Sequence, residues 1–280
     1  MALQRPRSWD VVRGKILRAC ERTRFADAAL YSKPVGGGRI EGLSVRFAEE
    51  AVRSMGNVDV SAPVVYDDDE KTIVRVTVTD LEANAIYSLD VPVPKTVERR
   101  QLRDGQTAES VRTNSAGKVV YLVRATDDEI ANKTNALVSK ALRNNVLRLL
   151  PADIQEEARD MIRETLASEV ERNPEAARKK VLDAFASLSI LPTDLQELIG
   201  HDVAQCSPAE LVELRKVYQA IRDGETTWQS VITEHRERAK TTAPAQPAQN
   251  GGKGGRAAAT ASAVAKAAGR SEREPGDDGP

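Results

Sequence analysis

The stretch VDVSAPVVYDDDEKTIVRVTVTDLEANAIYSLDVPVP, residues 58–94, decides the fold class. Its apolar residues recur at every second position, the period of a strand with one face turned to a core. Val58 to Tyr66 reads as one strand, and Asp67-Asp68-Asp69-Glu70 as the polar turn after it. Thr72 to Thr79 alternates next, with Val74, Val76 and Val78 on one face. Leu81 to Asn84 turns the chain again. Tyr87, Leu89, Val91 and Val93 then mark a third strand. Three consecutive strands joined by short turns predict an antiparallel meander.

On the N-terminal side the period lengthens. Trp9, Val12, Ile16, Leu17 and Cys20 follow helical spacing, with Ser8 as N-cap. Lys33-Pro34-Val35-Gly36-Gly37-Gly38 reads as a turn-rich loop. A second helix is expected from Leu43 to Met55, with Val45 and Val52 facing inward and Gly56-Asn57 ending it.

On the C-terminal side, residues 95–118 are a polar, glycine-containing excursion carrying Lys95, Arg99, Arg100, Arg103, Arg112 and Lys118. Val119 to Val123 reads as a further strand. Thr126-Asp127-Asp128-Glu129 places carboxylates where a helix N-terminus favours them, and this helix runs to Leu150 before Pro151. Beyond it the spacing predicts helices over Ala152–Arg172, Glu175–Leu188, Thr193–Ile199, Pro208–Arg222 and Thr226–Arg238. From Lys240 the chain is rich in Ala, Pro, Gln, Gly and Lys, too poor in apolar side chains to offset its ordering entropy. The expected class is therefore α+β. An antiparallel β-meander flanked by helices occupies 1–150, a small all-α module 151–239, and a disordered tail 240–280.

The 280 residues carry a formal net charge of −1, but the charge is segregated. Lys and Arg are in excess over 1–150, Asp and Glu over 151–239, so the two parts are expected to meet different partners. Cys20 and Cys206 stand far apart in no metal-like or redox-like spacing, which favours a reducing compartment over a disulfide framework. The N-terminus lacks the apolar run of a signal peptide, and no stretch approaches the length of a membrane span. A cytoplasmic protein is expected.

The chemistry-bearing residues do not assemble into a catalytic pattern. His201 and His235 are the only imidazoles, both in polar surroundings. No serine or cysteine sits in a nucleophile elbow. Gly36-Gly37-Gly38 is not followed by the Gly-Lys-Ser/Thr of a phosphate-binding loop. The acidic turn at 67–70 lacks the spaced ligands of a calcium loop. No catalytic residue, metal or cofactor is expected, and the chain reads as a non-enzyme.

The informative segment is IANKTNALVSKALRNNVLRLL, residues 130–150, with four basic residues and no acid. At 100° per residue Lys133, Lys140, Asn144 and Arg148 fall on one stripe with Arg143 beside it, opposite Val138, Leu142, Val146 and Leu149. Such a face offers amine and guanidinium donors to a phosphate backbone, or serves as the solvated side of an ordinary amphipathic helix. Aromatic residues are sparse, so backbone tracking is expected rather than base stacking.

The order of helix, three-stranded meander, basic excursion and basic helix resembles the core of the single-strand annealing protein superfamily. That group includes the eukaryotic recombination annealing protein and the phage Erf, Sak and RecT/Redβ types. Ile40-Glu41-Gly42 leading into Val45-Arg46-Phe47-Ala48-Glu49, closed by Gly56-Asn57, carries the likeness, as does Lys140-Ala141-Leu142-Arg143-Asn144. The resemblance implies ATP-independent binding and annealing of single-stranded DNA in phage homologous recombination, within a homo-oligomeric ring or filament. Lys140 and Arg143 match its DNA-contacting pattern. Lys133 and Arg148 join them by helical phase, and Arg99, Arg100 and Arg103 form an upper lip. The acidic module would recruit a partner such as a single-strand binding protein. The alternative is a structural or adaptor oligomer without nucleic acid.

Overall fold

The computed structural model describes residues 4–35, 38–103, 105–113 and 117–242. The expected tail lies almost wholly outside the described residues. In chain order the elements are helices α1 (Trp9–Cys20) and α2 (Thr23–Ala29), strands β1 (Leu30–Val35) and β2 (Gly38–Leu43), and helix α3 (Val45–Met55). Strands β3 (Val58–Ser61), β4 (Val64–Asp67), β5 (Lys71–Asp80) and β6 (Ala85–Pro94) follow. A second group comprises β7 (Thr96–Arg99), β8 (Ser110–Thr113) and β9 (Val119–Arg124). The remainder is helical: α4 (Asp127–Leu149), α5 (Ala152–Arg172), α6 (Pro174–Ser187), α7 (Pro192–Ile199), α8 (Pro208–Arg222) and α9 (Trp228–Thr242). A mixed fold with antiparallel sheets is thus observed, as the alternation of residues 58–94 implied.

The meander is present, with β5 paired along its length to β6 and, on its other side, to β3 and then β4. The first expected strand is broken at Ala62-Pro63, and a bulge follows between Val64 and Tyr66. Proline brings no N–H to a ladder, so it sits where an edge strand bends. The excursion at 95–118 is more ordered than its polarity suggests. β9 pairs with β7 on one side and β8 on the other, making a three-stranded arm. The loop expected around Pro34 is likewise a ribbon: β1 and β2 pair from Leu30↔Leu43 to Val35↔Gly38.

The helix after the sheet begins where its sequence says it should. Thr126 accepts a hydrogen bond from the Glu129 amide, and the Glu129 carboxylate accepts one from the Thr126 amide, a capping box. α4 then crosses β5 and β6. Ala141, with Leu137, Val138 and Leu142 beside it, packs on Val74, Val76, Val91 and Val93. Asn145 is buried at this contact and donates its Nδ2 to the Val76 carbonyl at 3.1 Å.

The main core does not respect the boundary expected at Pro151. Ile16, Leu30 and Phe47 pack in the same cluster as Ile162, Leu166, Phe185 and Leu211. Residues 1–242 form one compact unit. The reason lies in α5 and α8, whose apolar faces close over α1, α2 and the β1–β2 ribbon. Ion pairs tie the same elements: Lys216 on α8 pairs with Glu41 on β2, and Arg215 with Asp27 at 3.0 Å.

Candidate nucleic-acid interface

Two elements carry the residues singled out in the sequence, the helix α4 and the base of the β7–β9 arm. Of the α4 cations, Lys140 and Arg148 are exposed. Neither makes an ion pair among the described residues. The Arg148 guanidinium carbon stands 5.7 Å from the centre of the Tyr87 ring on β6, a cation–π contact. That leaves its N–H donors free to turn toward an anion.

Lys133 is engaged differently. Its Nζ donates to the Pro94 carbonyl at 3.3 Å and the Thr96 carbonyl at 3.2 Å, where β6 hands over to the arm. Arg99 works at the same joint. Its guanidinium pairs with Glu129, the carboxylate of the α4 capping box. The Thr126 amide and then Arg99 hold that carboxyl below its ordinary range. These two cations fasten the arm to the start of α4. Arg100 and Arg103, further along the arm, are exposed and make no ion pair among the described residues.

Arg143 departs most from the expectation of a solvent-facing donor. Only 5 % of it is exposed. Its Nη1 pairs with Glu225, in the turn between α8 and α9, while Nε and Nη2 donate to the Asn144 side-chain oxygen at 3.3 and 3.1 Å. Its guanidinium lies over the Tyr31 ring of β1. Glu225 also accepts from Lys33 at 3.1 Å. The α4 phase is right, but the β1–β2 ribbon and the α8–α9 turn cover the flank on which Arg143 sits.

Of the cations singled out in the sequence as contacts, those exposed and without an ion pair among the described residues are therefore Lys140 and Arg148 on the helix and Arg100 and Arg103 on the arm. Arg112 pairs with Glu98, and Arg124 donates to the Asp69 carbonyl. The sequence marks Tyr87 only as one of the alternating residues of the third strand. Its place beneath Arg148 follows from the sheet register and the helix crossing, for which no local signal exists.

The other chemistry is sparse. Among the described residues no group of three or more His, Cys, Asp and Glu side chains is arranged around a metal, and no helix is long and apolar enough to cross a membrane. Both cysteines are buried and free, and burial pushes the Cys20 thiol up to about 12, which removes thiolate chemistry. Asp67 in the acidic turn pairs with Lys95 at 2.9 Å. No family model matches the chain, and no curated protein and no solved structure matches it either.

Proposed function

We propose that the chain binds single-stranded nucleic acid through its phosphates and anneals complementary strands without ATP. The observation that carries this reading is the pair of exposed cations on α4, Lys140 and Arg148, in a helix with no acid from Ile130 to Leu149. Phosphate contacts of this kind fix the backbone and leave the bases outward, so complementarity rather than protein contact reads the sequence. Arg100 and Arg103 extend the donor set along the arm. Fluorescence anisotropy with labelled single-stranded and duplex DNA, over a salt series, tests the reading. Tight binding that prefers single strands and weakens steeply with salt is expected. No binding at low salt would overturn it.

A second reading, an assembly or adaptor protein without nucleic acid, draws on the sheet edge. β4 exposes Val64, Val65 and Tyr66, and β3 exposes Val60, on an edge with no further strand among the described residues. Unpaired edges of this kind invite pairing with another chain. Oligomers that persist in high salt and show no DNA affinity would favour it.

A further inference from the structure

Where α2, α6 and α8 meet, the chain forms a cleft of about 220 Å³ that is open to solvent on one side. Its wall is apolar and aromatic: Ala184 and Phe185 come from α6, and Tyr218 from α8. The Phe185 and Tyr218 rings meet edge to face at 5.8 Å. Its polar lining is cationic, with Arg24, Lys180, Arg215 and Arg222 against the single carboxylate of Asp27.

These cations differ in what already engages them. Lys180 pairs with Glu169 at 2.6 Å, and Arg222 stands 3.7 Å from Asp223. Arg24 is exposed and makes no ion pair among the described residues. Arg215 is 8 % exposed, and only its Nη1 is satisfied, by Asp27 at 3.0 Å and Glu169 at 2.5 Å. Its Nε and Nη2 are buried with no hydrogen-bond partner among the described residues. Native proteins rarely leave such donors unpaired. These two N–H groups share one edge of the guanidinium, the edge that meets both oxygens of a carboxylate or phosphate at once. Both are covered by protein atoms, so a head group meets them only when the side chains over them move aside.

We infer that this cleft binds a small organic anion, one carboxylate or phosphate head on an aromatic or branched aliphatic body. The head meets Arg24 and Arg215, and the body packs on Ala184 and Tyr218, which stand over the buried Phe185. The apolar wall distinguishes this ligand from inorganic phosphate, and the small volume of the cleft limits the ligand to about one ring and its head group. The inference does not rest on the nucleic-acid reading.

Calorimetric titration of the full chain tests it, with benzoate and phenyl phosphate as probes and benzamide and inorganic phosphate as controls. Saturable binding of benzoate, phenyl phosphate or both is expected, at least about tenfold tighter than either control. The stronger of the two probes identifies the head group. Ala184→Leu fills the cleft and is expected to abolish binding, with the melting transition of the free variant reporting its fold. Arg24→Gln, at an exposed position, is expected to weaken the charged probe severalfold and leave benzamide unchanged. It carries the test if Ala184→Leu does not fold. No binding by either probe, equal binding of benzamide, or binding that a folded Ala184→Leu variant retains would overturn the inference.

Discussion

The guanidinium carbon of Arg143 stands 4.8 Å from the centre of the Tyr31 ring, so the basic helix after the sheet is locked to the ribbon that precedes α3. Glu225 closes the arrangement from the other side, pairing with both Arg143 and Lys33. A cation so placed holds three parts of the chain together.

Replacing Arg143 with Gln is therefore expected to act on stability before it acts on any ligand. Both partners of the pair are nearly fully buried. Removing Arg143 leaves Glu225 paired with Lys33, so the cost is expected to stay below that of a wholly unpaired buried charge, at about 1.5–3 kcal/mol. Urea denaturation should show this loss. Lys140→Glu, at an exposed position, should shift stability by no more than about 0.5 kcal/mol. Equal stability of the two variants would remove the structural role assigned to Arg143.

Nucleic-acid affinity should divide the same cations in a different way. Lys140→Gln combined with Arg148→Gln is expected to flatten the slope of log affinity against log salt by about 1.4, at roughly 0.7 for each single-strand phosphate no longer neutralised. Arg112→Gln, which breaks a pair with Glu98 on the arm, should leave the slope unchanged. An unchanged slope in the double variant would exclude the α4 stripe as the contact.

Gly42 faces Tyr31 across the ribbon, and a Cβ there would stand 2.7 Å from the Tyr31 hydroxyl oxygen and 2.8 Å from the ring. Gly42→Ala forces the ring to move, and the ring supports Arg143. A loss of about 1–3 kcal/mol is expected from this overpacking. Adding Tyr31→Leu should make the Gly42→Ala change nearly neutral, and a double-mutant cycle measures the coupling. Additive losses would disconnect Gly42 from the Tyr31 contact.

The His201–Glu210 pair gives a pH dependence of definite sign. The Asp202 carbonyl and then Glu210 raise the His201 pKa above 6.5, while His201 and then Ser207 lower Glu210 from 4.5 to about 2. A raised histidine stabilises fully below its unfolded pKa and loses that contribution as pH rises through the folded one. A lowered glutamate stabilises above its unfolded pKa and loses that contribution as pH falls through the folded one. The pair thus contributes most between about pH 4.5 and 6.5. NMR titration should place the His201 midpoint above 6.5 and keep Glu210 ionised down to about pH 2. In Glu210→Gln the histidine midpoint should fall.

Much of this was legible because it is local. Thr126 and Glu129 are three residues apart, and Ser207 and Glu210 likewise. Both helices start where the spacing places them, and in the structure each pair closes a capping box. The alternation of Val74, Val76 and Val78 gave the inner face of β5, all three being buried. The arm was less legible, because β7 and β8 are only four residues each and draw their order from pairing with β9. The boundary at Pro151 was misleading, since proline stops a helix without saying whether the next one joins the same core.

The sequence alone determined the meander, the start of α4 and the helical order of the second half. Period, caps and turn residues act within a few positions of one another. Only the tertiary structure decided which cations of α4 remain exposed. Arg143 and Lys140 lie three residues apart on one helix, yet Glu225, 82 residues further on, buries the first and leaves the second in solvent. Helical phase fixes the direction of a side chain, but its surroundings depend on which distant segments pack there.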